Sequence, residues 1–189
     1  FALDYARSRT SKRLTFVTKS NAQRHGMVMW DDVFDEVSSE YTDLHIDRML
    51  VDAMTTRMVL DPSSIDVVVA TNLHADILSD LAAALSGSMG IAPTANLNPE
   101  GKFPSMFEPI HGSAFDIMGQ GVANPIGALW SASMMLSHLG EIKASNMLMK
   151  AIEKFTADGT NFPKDLGGTA STRQVTDQIL GIIDGKNSL

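Results

Sequence analysis

Two aspartates stand one helical turn apart in a stretch that favours a helix. Asp76 and Asp80 are four positions apart, and on a helix this spacing puts both on one face, with Cβ atoms roughly 5–6 Å from each other. Two such charges repel, whereas a divalent cation between them reverses the sign of the interaction. Carboxylate oxygens suit hard ions, so the pair predicts a site for Mg²⁺ or Mn²⁺. The alternative is a pair of solvated carboxylates on the polar side of an amphipathic helix.

A lysine and a third aspartate occupy comparable places in the chain. Lys19 directly follows residues 14–18, whose β-branched and aromatic composition predicts a strand. Asp52 lies where an alternating, strand-like pattern over residues 44–50 gives way to a helical one. Ligands of open α/β sheets bind at the carboxyl ends of the strands, so Lys19 is a candidate functional residue. The alternative is an exposed lysine in a loop.

A loop of small and polar residues spans positions 108–125. Asp116 could accept hydrogen bonds from a ribose hydroxyl, and His111 could stack on a cofactor or form a hydrogen bond with it. No Gly-x-Gly-x-x-Gly follows a predicted strand, so the ordinary Rossmann fingerprint is absent. A purely structural Ω-type loop is the alternative. The small residues that would let backbone approach a ligand closely are Gly112, Ser113 and Ala114.

The elements that must position these residues alternate between strand and helix. Predicted strands at residues 14–18, 44–50 and 65–70 are each followed by a helical pattern. Such alternation predicts an α/β fold with a parallel or mixed sheet covered by helices. Near the amino terminus, residues 1–9 predict a helix whose core-facing side chains would be Phe1, Leu3 and Tyr5.

The pattern changes at Gly90. Residues 91–109 contain four prolines and predict loops with a short strand. Asn124 and the following proline predict the cap and first residue of an apolar helix over residues 126–139. Further helices are predicted at 141–157 and 173–184. We therefore predict two parts, residues 1–90 and 91–189.

Composition excludes several classes of protein. The net charge of -7 and the lack of a basic run interleaved with aromatics argue against a nucleic-acid partner. The absence of cysteine excludes disulfides, thiolate catalysis and Cys-ligated zinc. No apolar run reaches the length of about 18 residues that a membrane span requires. The chain starts with Phe1, without an initiator methionine, and we expect it to be part of a longer protein.

Three linked motifs together resemble the isocitrate/isopropylmalate dehydrogenase family. They are Asn-Leu-x-x-Asp-Ile-Leu-Ser-Asp-Leu from Asn72, Phe-Glu-Pro-Ile-His-Gly-Ser-Ala-x-Asp from Phe107, and Gly-x-Ala-Asn-Pro from Gly121. The sequences of residues 93–100 and 103–109 resemble the tartrate dehydrogenase/D-malate dehydrogenase (decarboxylating) branch of this family. The resemblance covers essentially the whole chain and implies the carboxyl-terminal half of an isopropylmalate-dehydrogenase-like α/β enzyme. Residues 1–90 would belong to the substrate, metal and dimerisation domain, and residues 91–189 to the cofactor-binding domain.

The resemblance also implies roles for individual residues. Lys19, in the family's Lys-x-Asn motif, would act in proton transfer and, with Asp52, form the catalytic pair. Asp52 would reach a metal ion across a homodimer interface, where Asp76 and Asp80 of the facing subunit hold the same ion. The cofactor would be NAD rather than NADP, because Asp116 suits a free 2′-hydroxyl and repels a 2′-phosphate. The residues that would hold its adenosine part are His111, Gly112, Ser113, Ala114, Asp116 and Asn124.

The implied activity is metal-dependent oxidation of a 2-hydroxy acid of the D-malate or tartrate type by NAD, with decarboxylation of the keto acid. We expect a cytoplasmic homodimer that uses a small-molecule substrate and needs neither nucleic acid nor membrane. Alternatives are a 3-isopropylmalate or isocitrate dehydrogenase of the same family, and an inactive fragment or regulatory subunit that keeps dimerisation and nucleotide binding. A diphosphate–Mg²⁺ site in a prenyl-transferring enzyme also uses Asp-x-x-x-Asp, but those enzymes are all-α, which the predicted strands disfavour.

Overall fold

The computed structural model describes residues 1–185, and the chain falls into two compact units. Unit 1 comprises Phe1–Leu85, and unit 2 begins at Ser86. The predicted boundary at Gly90 lies close to this division, and the roles predicted for the two parts stay predictions. Positions 186–189 of the predicted second part lie outside the described residues.

A three-stranded parallel sheet forms the centre of unit 1. Its strand order is β2-β1-β3, so β1 pairs on both sides. Thr18 pairs with Leu50, which puts the carboxyl ends of β1 and β2 side by side. The elements of unit 1 are α1 (Ala2–Ser8), β1 (Arg13–Thr18), α2 (Gly26–Ser38), β2 (His45–Leu50), α3 (Val51–Leu60), β3 (Val67–Val69) and α4 (Asn72–Leu85).

Helices cover both faces of this sheet because successive side chains of β1 point to opposite sides. Leu14 and Phe16 pack with α1 and with Phe34 of α2. Val17, on the other face, packs with Met54 of α3 and with α4. The predicted α/β class, with a helix-covered sheet, is confirmed.

The core-facing side of α1 differs from the prediction. Leu3 is buried as expected, but its buried neighbour is Ala6, while Phe1 and Tyr5 are exposed. Positions two apart on a helix point in nearly opposite directions, whereas positions three apart share a face. The prediction for Phe1 and Tyr5 was therefore wrong.

Unit 2 is built on three helices and a β-hairpin. Ile126 at the start of the first helix packs with Phe155 of the second and Val175 of the third. None of the helices within residues 1–185 has the length and hydrophobicity needed to cross a bilayer. The elements of unit 2 are the antiparallel strands β4 (Pro93–Asn96) and β5 (Met106–Pro109), followed by α5 (Ile126–His138), α6 (Ile142–Asp158) and α7 (Thr172–Ile183).

Candidate active site

A lysine–aspartate pair lies at the carboxyl ends of two neighbouring strands. Lys19 is the first residue after β1, and Asp52 lies in the first turn of α3, directly after β2. The parallel register brings these two junctions together, and Lys19 Nζ donates a hydrogen bond of 2.5 Å to Asp52 Oδ1. This hydrogen bond lowers the pKa of the Asp52 carboxyl below its usual value of 3.8. The structure thus joins two residues that the sequence singled out separately.

The two members of the pair differ in their exposure to solvent. The side chain of Lys19 is 25% exposed and that of Asp52 is 65% exposed. Backbone amides of Ala22 and Gln23 donate to the Lys19 carbonyl oxygen, forming a turn directly after β1. The turn fixes the backbone from which the lysine side chain extends at the carboxyl end of β1, the central strand of the sheet.

The predicted metal ligands Asp76 and Asp80 both lie on α4, where the sequence put them. Both are exposed, while His74 and Leu78 of the same helix are buried. Within residues 1–185, neither carboxylate forms a hydrogen bond or ion pair with another side chain. Two free carboxylates on one helical face are therefore available to an external cation.

Asp52 does not join this pair within a single chain. No group of three or more acidic or histidine side chains in the described part of the chain could hold a metal ion. Mg²⁺ usually keeps several waters and takes only one or two protein carboxylates. The exposed, oxygen-only pair of Asp76 and Asp80 fits such a hydrated ion, with room for a third ligand from elsewhere.

Two polar groups close to these residues are buried without a partner. His74 is 5% exposed and its Nδ1 has no hydrogen-bond partner among the described residues. Thr18, the residue before Lys19, is likewise buried, and its Oγ1 has no partner there. His74 lies on the face of α4 opposite Asp76, so it does not contribute to the exposed carboxylate face.

A cavity of about 630 Å³ in unit 2 contains most of the predicted cofactor loop. Asp116 is not among the residues that line it, and it lies exposed in a 3₁₀ turn, Phe115–Ile117. The turn follows Ala114, whose φ is positive, and its last residue, Ile117, again lines the cavity. The predicted residues that do line the cavity are His111, Gly112, Ser113, Ala114 and Asn124.

Three cavity-lining residues with polar side chains were not predicted, namely Ser88, Lys164 and Asp165. Asn124 connects to one of them, because its Nδ2 donates to Asp165 Oδ2 at 2.9 Å. Asn124 Oδ1 also accepts from the backbone N–H of Ile126 at 3.0 Å, so it binds the first residue of α5, while Pro125 rather than the predicted Asn124 occupies the N-cap position. Asp165 is 41 positions from Asn124, so no local sequence pattern could have linked them.

Comparison with known proteins agrees with this arrangement of motifs. The sequence profile of the family described as isocitrate/isopropylmalate dehydrogenase matches residues 1–179. A probable tartrate dehydrogenase/decarboxylase from Agrobacterium vitis is 61% identical over 189 residues, covering 100% of this chain and 52% of the relative. The decarboxylating D-malate dehydrogenase of Escherichia coli strain K12 is 46% identical over 188 residues, covering 97% of this chain and 52% of that protein.

Solved structures show the same fold. The crystal structure of isocitrate dehydrogenase from Methylococcus capsulatus superposes with a TM-score of 0.91 at 36% identity, covering 96% of this chain and 53% of that one. A β-decarboxylating dehydrogenase from Thermococcus kodakarensis gives a TM-score of 0.84 at 36% identity, covering 98% and 53%.

The chain spans about half the length of the curated relatives it matches. Within that span the match runs through both units, from α1 to α7. It therefore includes the lysine–aspartate pair, the two aspartates of α4 and the cavity loop. This chain belongs to the isocitrate/isopropylmalate dehydrogenase family.

Proposed function

We propose that the complete gene product containing this chain oxidises a 2-hydroxy acid of the D-malate or tartrate type, using NAD and Mg²⁺ or Mn²⁺. The resulting 3-carboxy-2-keto acid is then decarboxylated. Identities of 61% and 46% to proteins named for tartrate and D-malate support this substrate class. The single observation that carries the proposal is the 2.5 Å hydrogen bond between Lys19 and Asp52 at the carboxyl end of the sheet.

Asp76 and Asp80 of one chain would hold the metal, with Asp52 of a second chain as a further ligand. When bound, the ion supplies Lewis-acid polarisation of the hydroxyl and carboxylate oxygens of the substrate. Two exposed apolar side chains of α4, Leu73 and Ile77, support a homodimer, because such residues favour burial against a partner. The shared site also explains why no group of three ligands forms among the described residues of one chain.

Lys19 is the residue that would hold the hydroxyl proton. The cofactor, when bound, would accept the hydride from C2, and Nζ of Lys19 would take up the proton of the hydroxyl oxygen. The ion pair with Asp52 would hold Nζ of Lys19 at the carboxyl ends of the strands. The Asp52 carboxylate is itself exposed to solvent. Loss of CO₂ from the keto acid then leaves a carbanion at C3 that takes up a proton, so D-malate yields pyruvate.

The cavity of unit 2 would hold the adenosine part of NAD, which serves as the hydride acceptor when bound. Its volume of about 630 Å³ lies within the range of roughly 300–1,000 Å³ that is usual for ligand pockets. Gly112 and Ser113 carry little or no side chain, so a ligand can approach the loop backbone closely. Asp116, exposed beside this loop, would accept hydrogen bonds from the ribose and exclude a 2′-phosphate.

The proposal is tested with the complete gene product. NADH formation is followed with D-malate, tartrate, 3-isopropylmalate and isocitrate, each with and without Mn²⁺. We expect D-malate or tartrate to be preferred and activity to require the ion. Preference for isopropylmalate or isocitrate would move the enzyme to another branch of the family, and inactivity with all four would favour a regulatory role.

Two matched variants test the metal ligands. Asp76→Ala should lower metal-dependent activity at least about 100-fold. Mutation of a residue that only orients a metal ligand already lowers metal affinity or activity about 10–100-fold. Asp32→Ala, which removes an exposed aspartate on α2, should leave activity unchanged. Unaltered metal dependence in the Asp76 variant would overturn the ligand assignment.

A further inference from the structure

Two distant segments of unit 2 meet at one carboxylate oxygen. Asp165 Oδ2 accepts hydrogen bonds from the hydroxyl of Ser88 and from the side-chain amide of Asn124. Ser88 is 77 positions away in the chain and Asn124 is 41 positions away. The backbone also approaches closely here, since a Cβ added to Gly90 would lie 2.5 Å from the same oxygen. Asp165 therefore forms hydrogen bonds with both the Ser88–Gly90 segment and Asn124, which pack closely against each other at this point.

The two partners of Asp165 each extend the network to a backbone amide. Ser88 Oγ accepts from the N–H of Gly90 at 2.8 Å, and Asn124 Oδ1 accepts from the N–H of Ile126 at 3.0 Å. Ser88 thus donates to Asp165 while accepting from Gly90, and the amide of Asn124 uses both its oxygen and its nitrogen. Each side chain is held at two points, which defines its rotamer.

The network lies in the cavity wall. Ser88, Gly90, Asn124 and Asp165 all line the same cavity as the predicted cofactor loop. A carboxylate accepts hydrogen bonds only, and bonds to a charged acceptor are roughly twice as strong as those between neutral groups. Asp165 can therefore fix the position of the Ser88–Gly90 segment and of Asn124 in the cavity wall.

We propose that Asp165 is a positioning residue that fixes the Ser88–Gly90 turn and the side chain of Asn124 for binding of a nucleotide cofactor. The inference rests on the proposed function in taking NAD as the ligand of this cavity. Asp165 acts through Asn124 and Ser88, and its removal should weaken cofactor binding more than it slows the chemical steps.

The kinetic test uses variants of the complete gene product. Asp165→Ala should raise KM for NAD about tenfold, which corresponds to the loss of one hydrogen bond, while kcat should change less than about threefold. Asp165→Asn keeps one acceptor oxygen and should stay within about threefold of the unaltered protein. Asp177→Ala, which removes an exposed aspartate on α7, serves as the matched control. In combination with Asn124→Ala, the effect of Asp165→Ala should be less than additive.

A second measurement does not depend on activity. Hydrogen exchange at the backbone amides of Gly90 and Ile126 should be faster in Asp165→Ala than in the unaltered protein, and unchanged in Asp177→Ala. If the alanine variant does not fold, Asp165→Glu keeps the charge, moves the carboxylate by one methylene and gives the same comparison.

The outcomes separate the two proposals. Unchanged exchange at both amides in Asp165→Ala overturns the positioning role, as does faster exchange with an unaltered KM for NAD. An unaltered protein that fails to bind NAD overturns the proposed function, while hydrogen exchange still decides whether Asp165 positions the wall.

Discussion

Replacing Lys19 by glutamine tests the centre of the proposed mechanism. Glutamine keeps a polar side chain able to donate a hydrogen bond, but it cannot take up a proton under assay conditions. If Lys19 Nζ holds the proton of the substrate hydroxyl, kcat should fall by about 10²–10⁴-fold, the usual contribution of a positioned acid–base group. KM for the hydroxy acid should change much less, because the metal and other residues bind the substrate.

The structure predicts that this loss of activity occurs without loss of folding. Asp52, the partner left behind, is 65% exposed, so water can replace the lost hydrogen bond. An unpaired group is costly only when it is buried. We therefore expect the melting temperature of Lys19→Gln to match that of the unaltered protein within measurement error.

The assay is steady-state NADH formation with the complete gene product at saturating Mn²⁺, with melting curves recorded on the same samples. Lys12→Gln is the matched control, because Lys12 also pairs with an aspartate in unit 1, at 3.3 Å from Asp43. The control should keep full activity. The reasoning is refuted if Lys19→Gln retains more than about one-tenth of kcat, or if Lys12→Gln loses as much.

The remaining predictions concern ionisation, cofactor choice and packing. The pKa of Asp52 is lowered by its hydrogen bond with Lys19, so this hydrogen bond should be complete above pH 3.8 and lost as the pH falls through the lowered value. Carboxyl NMR titration should show the pKa rising in Lys19→Gln. Asp116→Ser should raise the NADP to NAD ratio of kcat/KM about tenfold by removing charge repulsion, and an unchanged ratio would exclude Asp116 as the selecting residue. Phe155→Ala, at a 1% exposed site in the core of unit 2, should cost about 3–5 kcal/mol in urea unfolding, whereas a loss under about 1 kcal/mol would mean that the cavity collapses.

Local patterns in the sequence were sufficient for the elements and for pairs within one element. The β-branched and aromatic content of β1 predicted a strand, and the spacing of Asp76 and Asp80 placed both on one face of α4, as the structure shows. Asn124 was predicted to cap the next helix, and its Oδ1 accepts from the first helical residue, Ile126, although the N-cap position falls on Pro125. These features depend on neighbours within a few positions, where helix and strand geometry determines which side chains meet.

Contacts between distant segments were decided only by the tertiary structure. The hydrogen bond of Lys19 with Asp52 requires the parallel register of β1 and β2, and the bonds of Asp165 join segments 41 and 77 positions away. The folded loop likewise decided that Ala114 and Ile117 line the cavity while Asp116 between them does not. Sequence periodicity repeats every two to four residues and carries no information about which distant turns pack together, so only the folded chain brings these residues into contact.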